Sequence, residues 1–448
     1  MNSPLDTLHR TFDGEIVAPG HPEHEAAGRS VFASGNPAYV LRPATTADVQ
    51  AAVSFAAGTG LPLSVRGGGH AFQGFGTNDD GVVIDLSRLA AVEVVDTERH
   101  LVRIGGGATW GQVVDALAPH GLAISSGDTR SVGVGGLTLA GGIGWKVRKH
   151  GLALDQLVAA EVVTATGDLV PASAEQEADL FWAIRGGGGN FGIVASFTFA
   201  AHPTTDVFHG RITFPASEAA AVLQGWADHL RTAPDELTSI ALLANPMTGG
   251  PEAPVEIHVA FDGDDPELTA QALDPIRRLG SVIDDDVVVK PYADVLVEGM
   301  TPPPGLRFVT RSAFVDEESV PEVLGILSEV GTSPGSPVVS VRGLGGAVAR
   351  VPGDATAYAH RRAELVFVTI TAGPDPVVEA ARPALEATWD RLAPHIGGAY
   401  ANFLSRAPED EVAAIYPTPT LERLRQVKRR YDPGNLFAGN HNVRSDGA

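Results

Sequence analysis

Three glycines run into a histidine at Arg66-Gly67-Gly68-Gly69-His70, directly after the apolar stretch Leu61–Val65. A strand that feeds into consecutive glycines presents several backbone N–H groups on one concave side. Such a nest can hold phosphate oxygens without Lys or Arg. The same residues also suit a tight surface turn with a histidine beside it. Two further loops repeat the theme. Ser125-Ser126-Gly127-Asp128-Thr129-Arg130-Ser131-Val132-Gly133-Val134-Gly135-Gly136 continues to Gly141-Gly142-Ile143-Gly144. Its glycines alternate with apolar residues, as expected where main chain wraps a flat or extended ligand. The stretch Phe181–Gly192 carries consecutive glycines at 186–189, more than a helix C-cap needs.

A dinucleotide-binding βαβ unit is the obvious competitor, and the spacing argues against it. Gly105-Gly106-Gly107-Ala108-Thr109-Trp110-Gly111 follows a strand and opens a helix, but the residue twenty past Gly105 is Ser125, not the acidic residue that would hold a ribose. No Gly-Lys-Ser/Thr phosphate loop occurs either. The chain is therefore expected to hold a nucleotide-type group on a different scaffold.

These loops need elements to position them. Strand-like runs at Leu61–Arg66, Val82–Leu86, Leu101–Gly105 and Leu157–Thr164 alternate with amphipathic helical stretches. Thr46–Ala57 opens after a threonine, and Thr109 with Gln112 makes a capping box ahead of Trp110–Ala118. That alternation predicts an α/β-type unit. From about residue 206 glycine thins out. Val255–Phe261, Pro337–Arg342 and Glu364–Thr371 read as strands, and helices are expected near 216–232, 266–279, 319–330 and 375–393. This predicts an α+β chain whose second part is a mostly antiparallel sheet covered by helices. A basic helix, Leu421–Arg430, and a Pro433-Gly434 turn close the chain.

Composition bounds the chemistry. The 448 residues give room for two or three domains and a sizeable core. There is no cysteine, which removes disulfides, thiolate nucleophiles and Cys-based zinc or iron–sulfur sites. No metal is expected. With 54 acidic against 32 basic residues the net charge is −22, so nucleic acids and anionic membranes would be repelled. The first twenty residues lack a basic region followed by an apolar one, and no apolar run approaches membrane-spanning length. The expectation is a soluble, cytoplasmic protein. The basic cluster Lys146, Arg148 and Lys149 reads as a solvated face.

The three loops, in this order and with this tail, resemble the FAD-linked oxidases of the vanillyl-alcohol-oxidase superfamily (PCMH-type FAD-binding proteins), and more narrowly the berberine-bridge-enzyme-like family. The matching stretches are Val65–Gly76, Gly127–Gly144, Arg148–Asp155, Asp179–Val194 and the tail Tyr431-Asp-Pro-Gly-Asn-Leu-Phe437 through Asn440-His-Asn442-Val443. The resemblance implies an FAD-binding domain at 1–205, an inserted substrate-binding domain at 206–398 and a C-terminal segment at 399–448 that returns to the first domain. It places cofactor contacts at Arg66, Gly67, Gly68, Gly69, His70, Gly127, Thr129, Val132, Gly133, Gly135, Gly136, Gly141, Gly142, Gly192, Val194 and Asn442. It makes His70 the covalent anchor to the flavin 8α carbon. Where many members add a cysteinyl bond, this chain has Thr129, so a single link through His70 is expected. A neutral imidazole, available near its usual pKa of about 6.5, is a competent nucleophile for that bond.

The resemblance also implies the reaction: hydride passes from a substrate C–H to flavin N5, a base takes the hydroxyl proton, and oxygen reoxidises the cofactor. Tyr400, in Gly397-Gly-Ala-Tyr-Ala-Asn402-Phe403, resembles the family's Tyr-x-Asn segment and is the expected base, provided its pKa is depressed. Its alternative is a packed tyrosine with a satisfied hydroxyl. Val132 stands where the family keeps Val if oxygen reaches the flavin and Leu if it does not, which favours an oxidase. His360, Glu364 and Arg311 read as structural or solvated. The expectation is an FAD-dependent oxidase of an alcohol-type C–H in a small molecule, a sugar or specialised metabolite. The alternatives are a dehydrogenase with another acceptor and a flavin-binding scaffold without redox chemistry.

Overall fold

The computed structural model describes residues 4–204, 206–243, 254–299, 301–303, 305–333 and 336–445. The expected boundary at 205 falls on a residue outside these. The first half carries two main sheets. One holds β1 (Glu15–Val17), β2 (Tyr39–Arg42), β3 (Leu63–Arg66) and β4 (Val82–Asp85) in the order β1-β2-β4-β3. Its β2-β4-β3 part is parallel. The helix Thr46–Thr59 makes the crossover between β2 and β3, started by a capping box of Thr45 with Asp48 and stopped by Gly60 at φ 67°.

The second sheet contains β5 (Val92–Asp96), β6 (Leu101–Gly105), β8 (Leu157–Val163), β9 (Leu169–Ser173) and β10 (Ile193–Ala200), in the order β5-β6-β10-β8-β9 and antiparallel throughout. The short β7 (Leu122–Ala123) pairs with β11 (His202–Pro203). The strand–helix alternation thus describes only the smaller sheet. The Gly105–Gly107 run packs on backbone: an added Cβ at any of the three would strike the carbonyl of Leu89, Val194 or Leu86.

The middle of the chain builds one large antiparallel sheet from β12 (Asp206–Phe214), β13 (Leu237–Leu243), β14 (Val255–Phe261), β15 (Asp284–Asp285), β16 (Val288–Pro291), β17 (Arg307–Val315), β18 (Val338–Gly343) and β19 (Leu365–Gly373). The order is β15-β12-β14-β13-β18-β19-β17, with β16 also on β12. Helices Ala219–Leu230, Pro266–Arg277, Val320–Thr332 and Asp375–Leu392 cover one face. Alternation along β19 sorts its side chains. Leu365 and Phe367 enter that helix-covered core with Trp226 and Trp389, each contributing about 1.5–3 kcal/mol by burial. Val366, Val368 and Ile370 take the opposite face, toward the first half of the chain. The tail helix Thr418–Tyr431 and Phe437 pack into the cores of the first half.

The basic cluster is not a solvated face. Lys146 is 1% exposed and Arg148 5%. Arg148 donates to the carbonyls of Leu344 (2.7 Å), Leu230 (3.0 Å) and Ala233 (3.2 Å). Lys146 is ion-paired with Asp262, just past β14. The short helix Val147–His150 is wedged between the two halves of the chain, so its cations satisfy carbonyls and a carboxylate instead of water. No helix among the described residues is long and apolar enough to cross a membrane.

Candidate active site

β3 ends at Arg66, and the glycine loop turns away under the second glycine loop. A Cβ on Gly68 would collide with the backbone N of Gly133, and one on Gly133 with that of Gly68, so only a glycine pair lets these loops touch. Arg66 braces the first loop. It is ion-paired with Asp85 (2.9 Å) and donates to the carbonyls of Ala27 (2.8 Å) and Arg29 (2.9 Å). Its charge is thus committed within the protein.

The loops enclose a cavity of about 570 Å³. Of the sequence-predicted residues, Arg66, Gly67, Gly68, Gly69, His70, Gly127, Thr129, Val132, Gly133, Gly135, Gly136, Gly192, Val194 and Tyr400 line it. Gly141, Gly142 and Asn442 do not. Gly141 and Gly142 stand behind Tyr400, where Gly142 N–H donates to the phenol oxygen (2.9 Å) and Gly141, at φ 147°, leaves no room for a Cβ beside the ring. Asn442 adjoins the wall, which is made instead by its neighbours Asn440 and His441.

His70 holds the Ser131 hydroxyl through Nε2 (2.9 Å), and burial pushes its pKa below the usual value. The imidazole is therefore neutral near pH 7. Tyr400 is 3% exposed. Its hydroxyl oxygen accepts from Gly142 N–H and from Asn402 Nδ2 (3.0 Å), and its main chain is clamped by Ser312. The Ser312 hydroxyl donates to Tyr400 O (3.1 Å) and accepts from Tyr400 N–H (3.0 Å). Burial raises the phenol's pKa and outweighs the lowering by Asn402 and Gly142. The expected depression is not found: Tyr400 lies above its ordinary value of 10.

Sequence reading missed what the large sheet contributes. Ser340 and Arg342 of β18, Val368 and Ile370 of β19, and the loop residues Phe32, Phe72 and Gln73 also line the cavity. Arg342 pairs with Asp128 at 2.7 Å, tying β18 to the second glycine loop. Burial would raise the Asp128 pKa, but the guanidinium and the Thr129 hydroxyl hold it below the carboxylate range. Strand register, not local pattern, brings these residues in. His360 bonds the Ile415 carbonyl, Glu364 pairs with Arg231, and Arg311 stacks over Trp389; none lines this cavity.

Comparison with known proteins follows the same geography. A family model described as an FAD binding domain matches residues 37–173, and one described as berberine and berberine like matches residues 399–444. The chain is 30% identical to (R)-6-hydroxynicotine oxidase of Paenarthrobacter nicotinovorans, with all of both chains covered. It is 32% identical to a xylooligosaccharide oxidase of Thermothelomyces thermophilus, over 90% of this chain and 86% of that one. Among solved structures, it superposes with a TM-score of 0.85 and 25% identity, over the whole of both chains, on the glucooligosaccharide oxidase of Acremonium strictum, described as carrying a 6-S-cysteinyl, 8α-N1-histidyl FAD. The glycine loops, the cavity they enclose and the returning tail are those of an FAD-linked oxidoreductase, and the chain belongs to the PCMH-type, berberine-bridge-like family of FAD-linked oxidases.

Proposed function

We propose that this protein is an FAD-dependent oxidase, with the flavin tethered through His70 alone, that oxidises an alcohol-type C–H of a small molecule, a sugar or specialised metabolite. The carrying observation is the neutral His70 imidazole standing on the wall of a cavity built from glycine loops, with Tyr400 on the same wall. The walls suit the group. At Gly136 and Gly189 an added Cβ would meet only open space, and Asn440 Oδ1 is buried there without a partner. When bound, FAD supplies the hydride acceptor and returns the electron pair to oxygen, giving peroxide.

The first half of the chain and the tail would hold the cofactor, and the large sheet would roof the substrate. His70 Nε2 is engaged by Ser131, which leaves Nδ1 for the covalent bond. With no cysteine in the sequence, a second anchor is unavailable and Thr129 stands at its place. Tyr400 takes the hydroxyl proton as the C–H bond breaks, its oxygen held by Gly142 and Asn402. Val132 lines the same cavity, and a valine there, shorter than leucine, would leave oxygen the nearer approach to the cofactor.

Two measurements test this. Yellow colour retained by the acid-precipitated protein, with the mass of FAD added to the peptide containing His70, supports the tether; colour released to the supernatant refutes it. Substrate-reduced protein that regains its colour within seconds of aeration supports an oxidase, whereas recovery over minutes points to a dehydrogenase.

A further inference from the structure

We infer that Ser131 is a positioning residue for the flavin tether: its hydroxyl orients the His70 ring, holds the imidazole N–H on Nε2 and so presents the Nδ1 lone pair to the cofactor. The inference rests on the single-link reading proposed above and deepens it. Ser131 Oγ lies 2.9 Å from His70 Nε2. His70 lines the glycine-loop cavity and Ser131 does not, so the hydroxyl acts on a bound cofactor through the ring. The aromatic neighbour Phe32, edge-on at 6.1 Å, offers the ring no oxygen or nitrogen, and the hydroxyl sorts the two nitrogens. Which nitrogen of a neutral imidazole is free to attack is set by the hydrogen bond the other one makes.

The hydroxyl is held from several sides. The carbonyls on either side of it in sequence, Arg130 O and Val132 O, accept from Gly111 N–H (2.8 Å) and Trp110 N–H (3.0 Å) at the start of the helix Trp110–Leu117. Arg130 N–H donates to Val297 O (2.9 Å) and Val297 N–H to Asp128 O (2.9 Å), which stitches a segment from the second half of the chain onto this loop. Gly299 of that segment lies against the Ser131–His70 contact: an added Cβ there would collide with the Ser131 hydroxyl and stand 3.5 Å from His70 Cε1. Main chain fixed in this way keeps the hydroxyl in one place, and the ring with it. Such placement matters most where a bond must form along one trajectory. His70 Nδ1 bonds to the flavin 8α carbon as one C–H of that methyl group breaks. The methyl proton and the Nε2 proton are released, the latter through its hydrogen bond to Ser131. With the electron pair, which passes by way of the flavin, they end on oxygen as hydrogen peroxide.

The test compares the full-length parent with Ser131→Ala and Ser131→Thr, each produced with riboflavin limiting and then incubated with excess FAD in air. Bound FAD is read from the flavin-to-protein absorbance ratio after gel filtration, and tethered FAD from the colour kept by acid-precipitated protein at timed intervals. Ser131→Ala is expected to bind FAD as fully as the parent and to tether it about 10–100-fold more slowly. Ser131→Thr keeps the hydroxyl and should recover most of the parent's rate. Tethering by Ser131→Ala at the parent's rate overturns the inference and leaves the tether standing. So does slowing in Ser131→Thr as deep as in Ser131→Ala, or slowing matched by lost FAD binding, since either makes the residue merely structural. Should Ser131→Thr fail to fold, Gly299→Ala, which pushes on the hydroxyl from the far side, takes its place: tethering several-fold slower at equal FAD content supports the inference, and the parent's rate overturns it. A parent protein whose colour is wholly released by acid defeats the tether reading itself, and the role of Ser131 with it.

Discussion

At the scale of single residues, Tyr400 has two opposing influences on its proton. Gly142 N–H and Asn402 Nδ2 both point at its oxygen, the arrangement a phenolate needs, yet burial prevails and holds the phenol above its ordinary pKa. The base form is the deprotonated one, so its population grows as pH rises, about tenfold per unit below the pKa. We expect kcat/KM to climb through pH 8 and 9 without levelling before about 10. Tyr400→Phe should remove that limb and lower the rate by about 10²–10⁴, with the flavin spectrum unchanged. A plateau near pH 7 in the parent protein would mean another group takes the proton. Ser312 acts one step back. Its hydroxyl accepts from Tyr400 N–H and donates to Tyr400 O, which Phe403 N–H also reaches (2.9 Å), so Ser312→Ala would leave one buried N–H unpaired at a cost of about 1–3 kcal/mol. A denaturation midpoint that does not move would show that water or a shift of the 397–403 loop replaces it.

At the scale of elements, the glycine loops are where packing tolerates least. Gly68 and Gly133 meet backbone to backbone, and a methyl group on either must push the two loops apart. Gly133→Ala is therefore expected to lower FAD content and leave the large sheet intact, read as a reduced flavin-to-protein absorbance ratio with unchanged far-UV circular dichroism. A fully loaded Gly133→Ala protein would show that the loops have slack. These loops were legible from sequence because glycine runs are costly and stand out, as was the helix after Thr45, whose cap is a local signal. β14 matches its expected span, Val255–Phe261, residue for residue. By contrast β13, β17 and the edge strands carried no expectation. Every residue of Leu237–Leu243 but Leu242 is buried, so no alternation marks it. Arg342 and Asp128 are 214 positions apart and meet only through the β13–β18–β19 register. No window of sequence contains that information.

At the scale of the whole molecule, the two halves are joined by a buried polar knot. Lys146, Lys149, His150, His202 and Thr204 come from the first half, and Asp262, Glu236 and Tyr292 from the second. Lys146 is paired with Asp262 and lies over the Tyr292 ring at 4.3 Å; His150 stacks on His202 at 3.9 Å. Asp262 would be raised by burial, but His150 and Lys146 hold it below the usual carboxylate range. Its contribution is present above the unfolded value of 3.8 and is lost as pH falls below it. His202 is pushed down to about 4, first by burial and then by His150 and Lys146. Between pH 6.5 and 4 the unfolded chain therefore binds a proton that folded His202 refuses, and stability drops across that window. His209 and His441, both also near 4, push in the same direction. Acid weakening should thus begin well above the carboxylate range. Urea midpoints are expected to decline from pH 7 to 4.5, and His202→Gln should flatten that slope. Asp262→Asn removes the anion and leaves the Lys146 ammonium buried without its partner, at a cost of about 3–5 kcal/mol at pH 7. If Asp262→Asn unfolds at the parent's midpoint, Lys146 sheds its proton or finds water, and the knot does not hold the halves together.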